Sequence, residues 1–330
     1  MPINLRGRSL LTLLDFTQME IEYLINLSRD LKAKKRSGAG GCALENKNIV
    51  LIFEKTSTRT RCAFEVAAFD EGGRVTFLTN SQMGVKESTE DTAKVLGRFY
   101  DGIEFRGYSQ KTVEILARHA GVPVWNGLTD SFHPTQALAD LLTLSEHLQR
   151  PFNRMKLCYV GDAGNNVCSS LMIGAAKTGM DFCAIGPPSL FPKEGILGRA
   201  KQSAKESGAR IEVSDDISKV AGADCIYTDV WASLGEEEKL PERISLLKPY
   251  QVNDSLIRKT ENPDVLFMHC LPALHDDETQ IGAKVKEEFR LDAMEVTDSV
   301  FRSSHSVVFD QAENRMHTAK AIMVATCGLV

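Results

Sequence analysis

Ser57-Thr58-Arg59-Thr60-Arg61 gathers three hydroxyls and two guanidinium groups within five residues. The apolar run Asn48-Ile49-Val50-Leu51-Ile52-Phe53 before it reads as a buried strand. Ala63, Phe64, Ala67 and Ala68 after it are spaced as the inner face of a helix. Hydroxyls and arginines therefore fall where a strand ends and a helix begins. A helix N-terminus offers unpaired N–H groups and about half a positive charge, and both draw an anion. The hydroxyls and the Arg59 fork add donors suited to oxyanions. This is the chemistry of a phosphate cradle made without a glycine-rich loop. The structural alternative is a hydroxyl-rich helix cap with solvated arginines.

Other chemistry-bearing residues follow predicted strands. Arg106 ends the run Gly102-Ile103-Glu104-Phe105-Arg106. His133-Pro134-Thr135-Gln136 opens a long helix, with Pro134 suited to its first position. Asp229 and Ser233 lie in Asp229-Val230-Trp231-Ala232-Ser233-Leu234-Gly235-Glu236, and His269-Cys270-Leu271-Pro272 follows the last predicted strand. Ligands of doubly wound folds bind at the carboxyl ends of strands, where these groups stand. Each also has a structural alternative. Arg106 can pair with Glu104 or Asp101 on the surface, His133 can cap its helix, Asp229 can be a turn residue, and Cys270 can be a buried spacer. Gly161-Asp162-Ala163-Gly164 follows a strand but lacks the G-x-G-x-x-G register and the lysine of a P-loop. Asn165 and Asn166 point instead to hydrogen bonding with a polar small molecule, and a nicotinamide dehydrogenase is disfavoured.

The elements that must hold these residues alternate strand and helix. Thr17-Gln18-Met19-Glu20 is a capping box before a helix with Ile21, Leu24, Ile25 and Leu31 inward. Strands are predicted at 48–53, 75–78, 102–106 and 122–125, then, after a break at Gln149-Arg150-Pro151, at 156–160, 182–186, 211–213, 225–228 and 265–268. Helices over 90–100, 113–119 and from 134 onward separate several of them, and a final helical pattern runs from about 306 to 330 with Arg315 among apolar residues. Such alternation with short turns predicts α/β architecture: two doubly wound parallel-sheet domains of similar size, without an evident internal repeat.

With 330 residues, 43% apolar, the chain has room for two cores. A net charge of −5 of mixed sign recruits neither nucleic acid nor a membrane surface, so an anionic ligand must be held by local cations. Eight cysteines include no C-x-x-C pair, and most lie in apolar runs, as in a reducing compartment. No zinc site is expected. Arg6, Arg8 and Leu10–Leu14 form too short a run for a targeting peptide, and no stretch has the length of a transmembrane helix. A soluble cytoplasmic protein is expected.

Ser57-Thr58-Arg59-Thr60-Arg61, Arg106-Gly107, His133-Pro134-Thr135-Gln136 and His269-Cys270-Leu271-Pro272 together resemble the aspartate/ornithine carbamoyltransferase family. His-Cys-Leu-Pro and Asp-Val-Trp-x-Ser-x-Gly-Glu are similar to its ornithine branch in particular. The likeness runs from Gly7-Arg8-Ser9-Leu10-Leu11 to Glu313-Asn314-Arg315-Met316-His317, and its start near residue 1 argues against a cleaved leader. It implies that Ser57, Thr58, Arg59, Thr60, Arg106, His133, Gln136, Cys270, Leu271 and Arg315 bind carbamoyl phosphate. Gln82, in a loop, would reach a neighbour's site in a homotrimer with shared active sites, with or without higher assembly. Asn166, Asp229, Ser233 and Leu234 would hold L-ornithine.

The catalytic set would be Arg106, His133, Asp229 and Cys270, acting without metal or cofactor to make citrulline and phosphate, reversibly and in either metabolic direction. The resemblance places the carbamoyl phosphate domain at 1–148, joined by about 306–330, and the ornithine domain at 149–305, with the active site in the cleft between them. Three departures are Val85 for a common His, Leu234 for Met, and Gly164, which leaves the choice between Asn165 and Asn166 open. The alternatives weighed are transfer to another amine, such as putrescine or an acetylated ornithine, and a silent regulatory homologue that keeps only the anion pocket.

Overall fold

The computed structural model describes residues 3–79, 81–232 and 237–328. The chain divides into two compact units, one of residues 1–147 and 312–330, the other of residues 148–311.

The first unit contains α1 (Gln18–Arg36), β1 (Asn48–Phe53), α2 (Thr58–Asp70), β2 (Arg74–Thr79), α3 (Thr89–Phe99), β3 (Gly102–Arg106), α4 (Gln110–His119), β4 (Val124–Leu128) and α5 (Pro134–Leu148). α1 begins with the predicted capping box, Thr17 and Glu20 satisfying each other's backbone N–H groups. The sheet is parallel throughout, in the order β2-β1-β3-β4. Ile49, Val50, Leu51 and Ile52 of β1 are buried on both faces, as a central parallel strand requires. α2 covers it with Thr60, Ala63, Phe64, Ala67 and Ala68.

β4 is displaced from the expected 122–125. Pro123 has no N–H to give a ladder, although its carbonyl accepts from Ile103. The strand runs on through Asn126 and Gly127 because Leu10, distant in sequence, pairs with Val124 and Asn126 on its other edge.

The second unit contains β5 (Lys156–Val160), α6 (Asn166–Thr178), β6 (Asp181–Ile185), α7 (Glu194–Ser207), β7 (Ile211–Ser214), β8 (Cys225–Thr228), α8 (Leu240–Leu247), α9 (Asp254–Lys259), β9 (Leu266–His269), α10 (Gln280–Phe289) and α11 (Asp298–Phe301). Its parallel sheet has the order β7-β6-β5-β8-β9. A last helix, α12 (Val308–Cys327), begins in the second unit and ends in the first.

In both sheets the winding reverses beside the first strand, between β1 and β3 and between β5 and β8. The carboxyl ends of those pairs are where this topology opens a ligand crevice. All eight cysteines are free thiols; Cys42 and Cys62 are exposed, Cys270 is half-buried and the remaining five are buried. Among the described residues, no helix is long and apolar enough to cross a membrane.

Candidate active site

The first unit gathers hydroxyl and guanidinium groups at the β1/β3 switch. Ser57 is the N-cap of α2, its extended backbone turning the chain out of β1 while its hydroxyl accepts the Thr60 N–H at 3.2 Å. The cap and the cradle are therefore one structure, and the first-turn N–H groups have no partner within the helix. Thr60 is fully buried, and its hydroxyl oxygen accepts from Arg315 Nη2 at 2.6 Å and from Arg106 Nη1 at 3.4 Å. Two guanidinium groups from distant segments are thus clamped on one side chain. Arg61 is not part of this cluster: it pairs with Glu65 at 3.0 Å and lies over the Phe77 ring.

His133 and Gln136 are buried at the start of α5. Burial foremost, then the charges of Arg315 and Arg106, holds the His133 pKa well below the usual imidazole range, so the ring is neutral at pH 7. Its Nδ1 lies 3.3 Å from the Thr135 hydroxyl. Gln136 donates from Nε2 to Asp140 at 2.8 Å, and this fixes the amide with Oε1 buried and without a hydrogen-bond partner. The surface pairing considered for Arg106 is not found. Asp101 is engaged by Lys47 and the Asn48 N–H, and Glu104 is fully buried. Gln82 is exposed, and its carbonyl accepts from the N–H groups of Val85, Lys86 and Glu87.

The second unit assembles a carboxylate–thiol pair at the ends of β8 and β9. Cys270 donates from Sγ to Asp229 Oδ1 at 3.1 Å, and Val230 N–H donates to the same oxygen at 2.8 Å. Burial raises the Asp229 pKa above the ordinary carboxylate value, opposed by His269, the Cys270 S–H and the Val230 N–H.

Asn165 separates from Asn166 here. It is the N-cap of α6, accepting the Cys168 N–H at 2.7 Å, and its Nδ2 donates to Asp229 Oδ2 at 3.1 Å and to Tyr159 Oη at 2.7 Å. Asn165 is a brace for Asp229, which leaves Asn166, the first residue of α6, as the ligand candidate. Ser233 and Leu234 lie outside the described residues.

The loop after β9 is held from below. Leu271 has φ +57°, a left-handed conformation that a leucine adopts only under constraint. Its N–H donates to His269 Nδ1 at 2.9 Å, and the His269 N–H donates to Gln311 Oε1 at 3.0 Å. Glu295 Oε1 accepts the Leu274 N–H at 2.6 Å and lies 3.3 Å from His269 Nε2. Glu295 and Gln311 thus support the loop without any sequence signal of their own, since each is brought there by an element far along the chain, whereas Asn165 is signalled only together with Asn166. Asp229, His269 and Cys270 could offer a metal three ligand atoms within 4.8 Å, as could His275, Asp276 and Asp298. In the first group, the imidazole Nδ1 and the thiol already have protein partners. In the second, Arg302 lies on Asp298 and His275 is within 2.7 Å of that carboxylate.

Two parallel α/β units define the class: an α/β enzyme scaffold with a hydroxyl–guanidinium anion pocket at one switch point and a carboxylate–thiol pair at the other. Residues 8–146 match the family described as "Aspartate/ornithine carbamoyltransferase, carbamoyl-P binding domain", and residues 153–326 match its "Asp/Orn binding domain". The chain belongs to the aspartate/ornithine carbamoyltransferase family. It is 61% identical over 330 residues to "Ornithine carbamoyltransferase, catabolic" of Clostridium perfringens, covering 99% of this chain and 100% of that one. It is 57% identical to ornithine carbamoyltransferase of Staphylococcus aureus, covering 98% and 99%. The structure of ornithine carbamoyltransferase from Pyrococcus furiosus superimposes with a TM-score of 0.91 at 42% identity, covering all of both chains.

Proposed function

We propose that this chain is an ornithine carbamoyltransferase, moving the carbamoyl group of carbamoyl phosphate to the δ-amine of L-ornithine to give citrulline and phosphate. The observation that carries the reading is the buried clamp of Arg106 and Arg315 on Thr60, beside a neutral His133 and an unsatisfied Gln136 oxygen. Residues 1–148 with about 306–330 bind carbamoyl phosphate, and 149–305 bind ornithine. Ser57, Thr58, Arg59, Arg106 and Arg315 hold the phosphate group. Thr60, Arg106 and His133 donate to the carbamoyl oxygen, while Gln136 Oε1 accepts from the carbamoyl NH2. The Cys270-Leu271 backbone completes that contact. Asn166, Asp229, Ser233 and Leu234 hold ornithine.

In the reaction, the amine lone pair attacks the carbonyl carbon and the C=O π electrons move to oxygen. The resulting oxyanion collapses by breaking the C–O bond to phosphate. The donors around the oxygen stabilise charge as it develops, and removing one such donor costs about 10² to 10³ in rate. An alkylammonium near pKa 10 must lose one proton before attack and another afterwards. Asp229, with Cys270 bonded to it, receives and passes on that proton. Direct attack needs no thioester, so Cys270 orients and relays without bonding to carbon.

The named relatives are ornithine carbamoyltransferases, and the alternative of putrescine as acceptor finds no support among them. Exposed apolar Val66 and Phe69 on α2 and Val85 in the Gln82 loop offer a surface for contact with further copies of the chain, which the reading takes to be a trimer. The decisive assay is steady-state phosphate release from carbamoyl phosphate with ornithine, N-acetylornithine and putrescine compared. Turnover confined to ornithine supports the reading, and carbamoyl phosphate binding without turnover of any amine would replace it by the silent homologue.

A further inference from the structure

Glu104 is the one charged group of β3 that the reaction above does not use. It is fully buried, and both carboxyl oxygens lack a hydrogen-bond partner. Strand alternation puts its side chain on the same sheet face as that of Arg106, two residues on. Its location is fixed by Gly127 of β4, where an added Cβ would lie 1.7 Å from Glu104 Oε1 and 3.3 Å from Thr60 Cγ2. Only a glycine leaves room for this carboxyl, which fills the space beside the threonine that both guanidinium groups clamp. The charged neighbours are Arg106 on its own strand and Arg315 from α12, both acting on it electrostatically.

A buried carboxyl beside two arginines, at a site meant for a phosphate dianion, is a competing anion. We infer that Glu104 is the internal counter-anion of the pocket: above the pH at which it ionises it balances Arg106 and Arg315 when no ligand is bound, and there it takes up one proton from solvent as the phosphate group enters. Burial already favours its protonated form, raising its pKa well above the usual carboxylate range against the pull of the two arginines. An incoming dianion adds repulsion in the same direction. Carbamoyl phosphate binding is then coupled to proton uptake, so affinity falls as pH rises, and it does so through a group that touches no substrate. Glu104 is a positioning and charge-balancing residue of the site proposed above, and the inference rests on that reading.

The test is the affinity for carbamoyl phosphate between pH 6 and pH 9 in wild type and in Glu104→Gln, which keeps the shape and removes the ionisation. Ionisation of the ligand itself is common to both proteins and cancels in their ratio. The ratio should swing in favour of Glu104→Gln by up to about tenfold per pH unit above the pH at which Glu104 ionises, the limit for one linked proton. Parallel curves would overturn the inference. Absence of carbamoyl phosphate binding in wild type would instead overturn the proposed function. If Glu104→Gln does not fold, calorimetry of the wild type in two buffers of different ionisation enthalpy decides. Uptake approaching one proton beyond the ligand's own supports the role, and none refutes it.

Discussion

Cys270 and Asp229 share a hydrogen bond of 3.1 Å, and Asn165 ties the other carboxylate oxygen. This geometry predicts that Cys270→Ala weakens ornithine use and lowers turnover about 10²-fold, the scale of one lost catalytic contact, while intact-protein mass spectrometry finds no carbamoyl adduct on the wild-type enzyme. A trapped adduct at Cys270 would make it a nucleophile. Asp229 also sets a pH dependence. In the proposed relay, the Asp229 carboxylate is lost as pH falls through its raised pKa, in addition to the loss of free amine that begins below about pH 10. The acid limb of kcat/KM for ornithine should therefore steepen toward two protons in wild type and relax to one in Asp229→Asn. In the other half-site, Arg59→Ala should raise the KM for carbamoyl phosphate far more than that for ornithine, and equal increases would remove Arg59 from the cradle.

Within the first unit, the C-terminal part of α12 is anchored by polar bonds inside the core. Lys320, 1% exposed, donates to Asp70 of α2 at 2.8 Å. Lys32 of α1 reaches Glu146 of α5 at 2.8 Å and Asn314 of α12 at 2.7 Å. Buried ions are held at a desolvation cost, so a buried charge such as Lys320 is kept only with its partner in place. Because Asp70 is partly exposed and keeps Lys35, Lys320→Ala is expected to destabilise the first unit by about 1.5–3 kcal/mol, the scale of one charged hydrogen bond, read as a lower denaturant midpoint. A Lys320→Ala midpoint equal to wild type would show that Lys35, also on Asp70 at 2.6 Å, suffices alone. Arg315 is carried by the same helix, so its placement depends on these anchors.

For the molecule as a whole, titration of buried groups governs how stability depends on pH. Glu104 and Asp229 have raised pKa values in the folded chain. Each therefore favours the folded state most below the unfolded carboxylate pKa, and that contribution is lost as pH rises through the folded value. The ligand-free Glu104→Gln protein should melt higher than wild type at pH 8, with the gain shrinking toward pH 5. Light scattering should give three times the chain mass of 36.4 kDa, and replacing Phe69, 80% exposed on α2, by Glu should lower it.

The local code for each half was legible in the chain. Parallel strands buried on both faces read as unbroken apolar runs, helix starts carry capping residues, and polar groups after strands point to the ligand crevice, so the two α/β units and the cradle at Ser57 emerge from pattern alone. Asn165 and Asn166 stayed undivided there because both suit a helix start, and only the backbone of α6 shows which one caps. Glu104 read as a possible surface partner for Arg106, since a carboxylate in a strand gives no sign of which neighbours will bury it. Its place beside Thr60, like that of Arg315 from the far end of the chain, was decided by strand order and by α12 returning to the first unit. Contacts between residues separated by tens to hundreds of positions are a property of topology, whereas periodicity and capping act over a few residues.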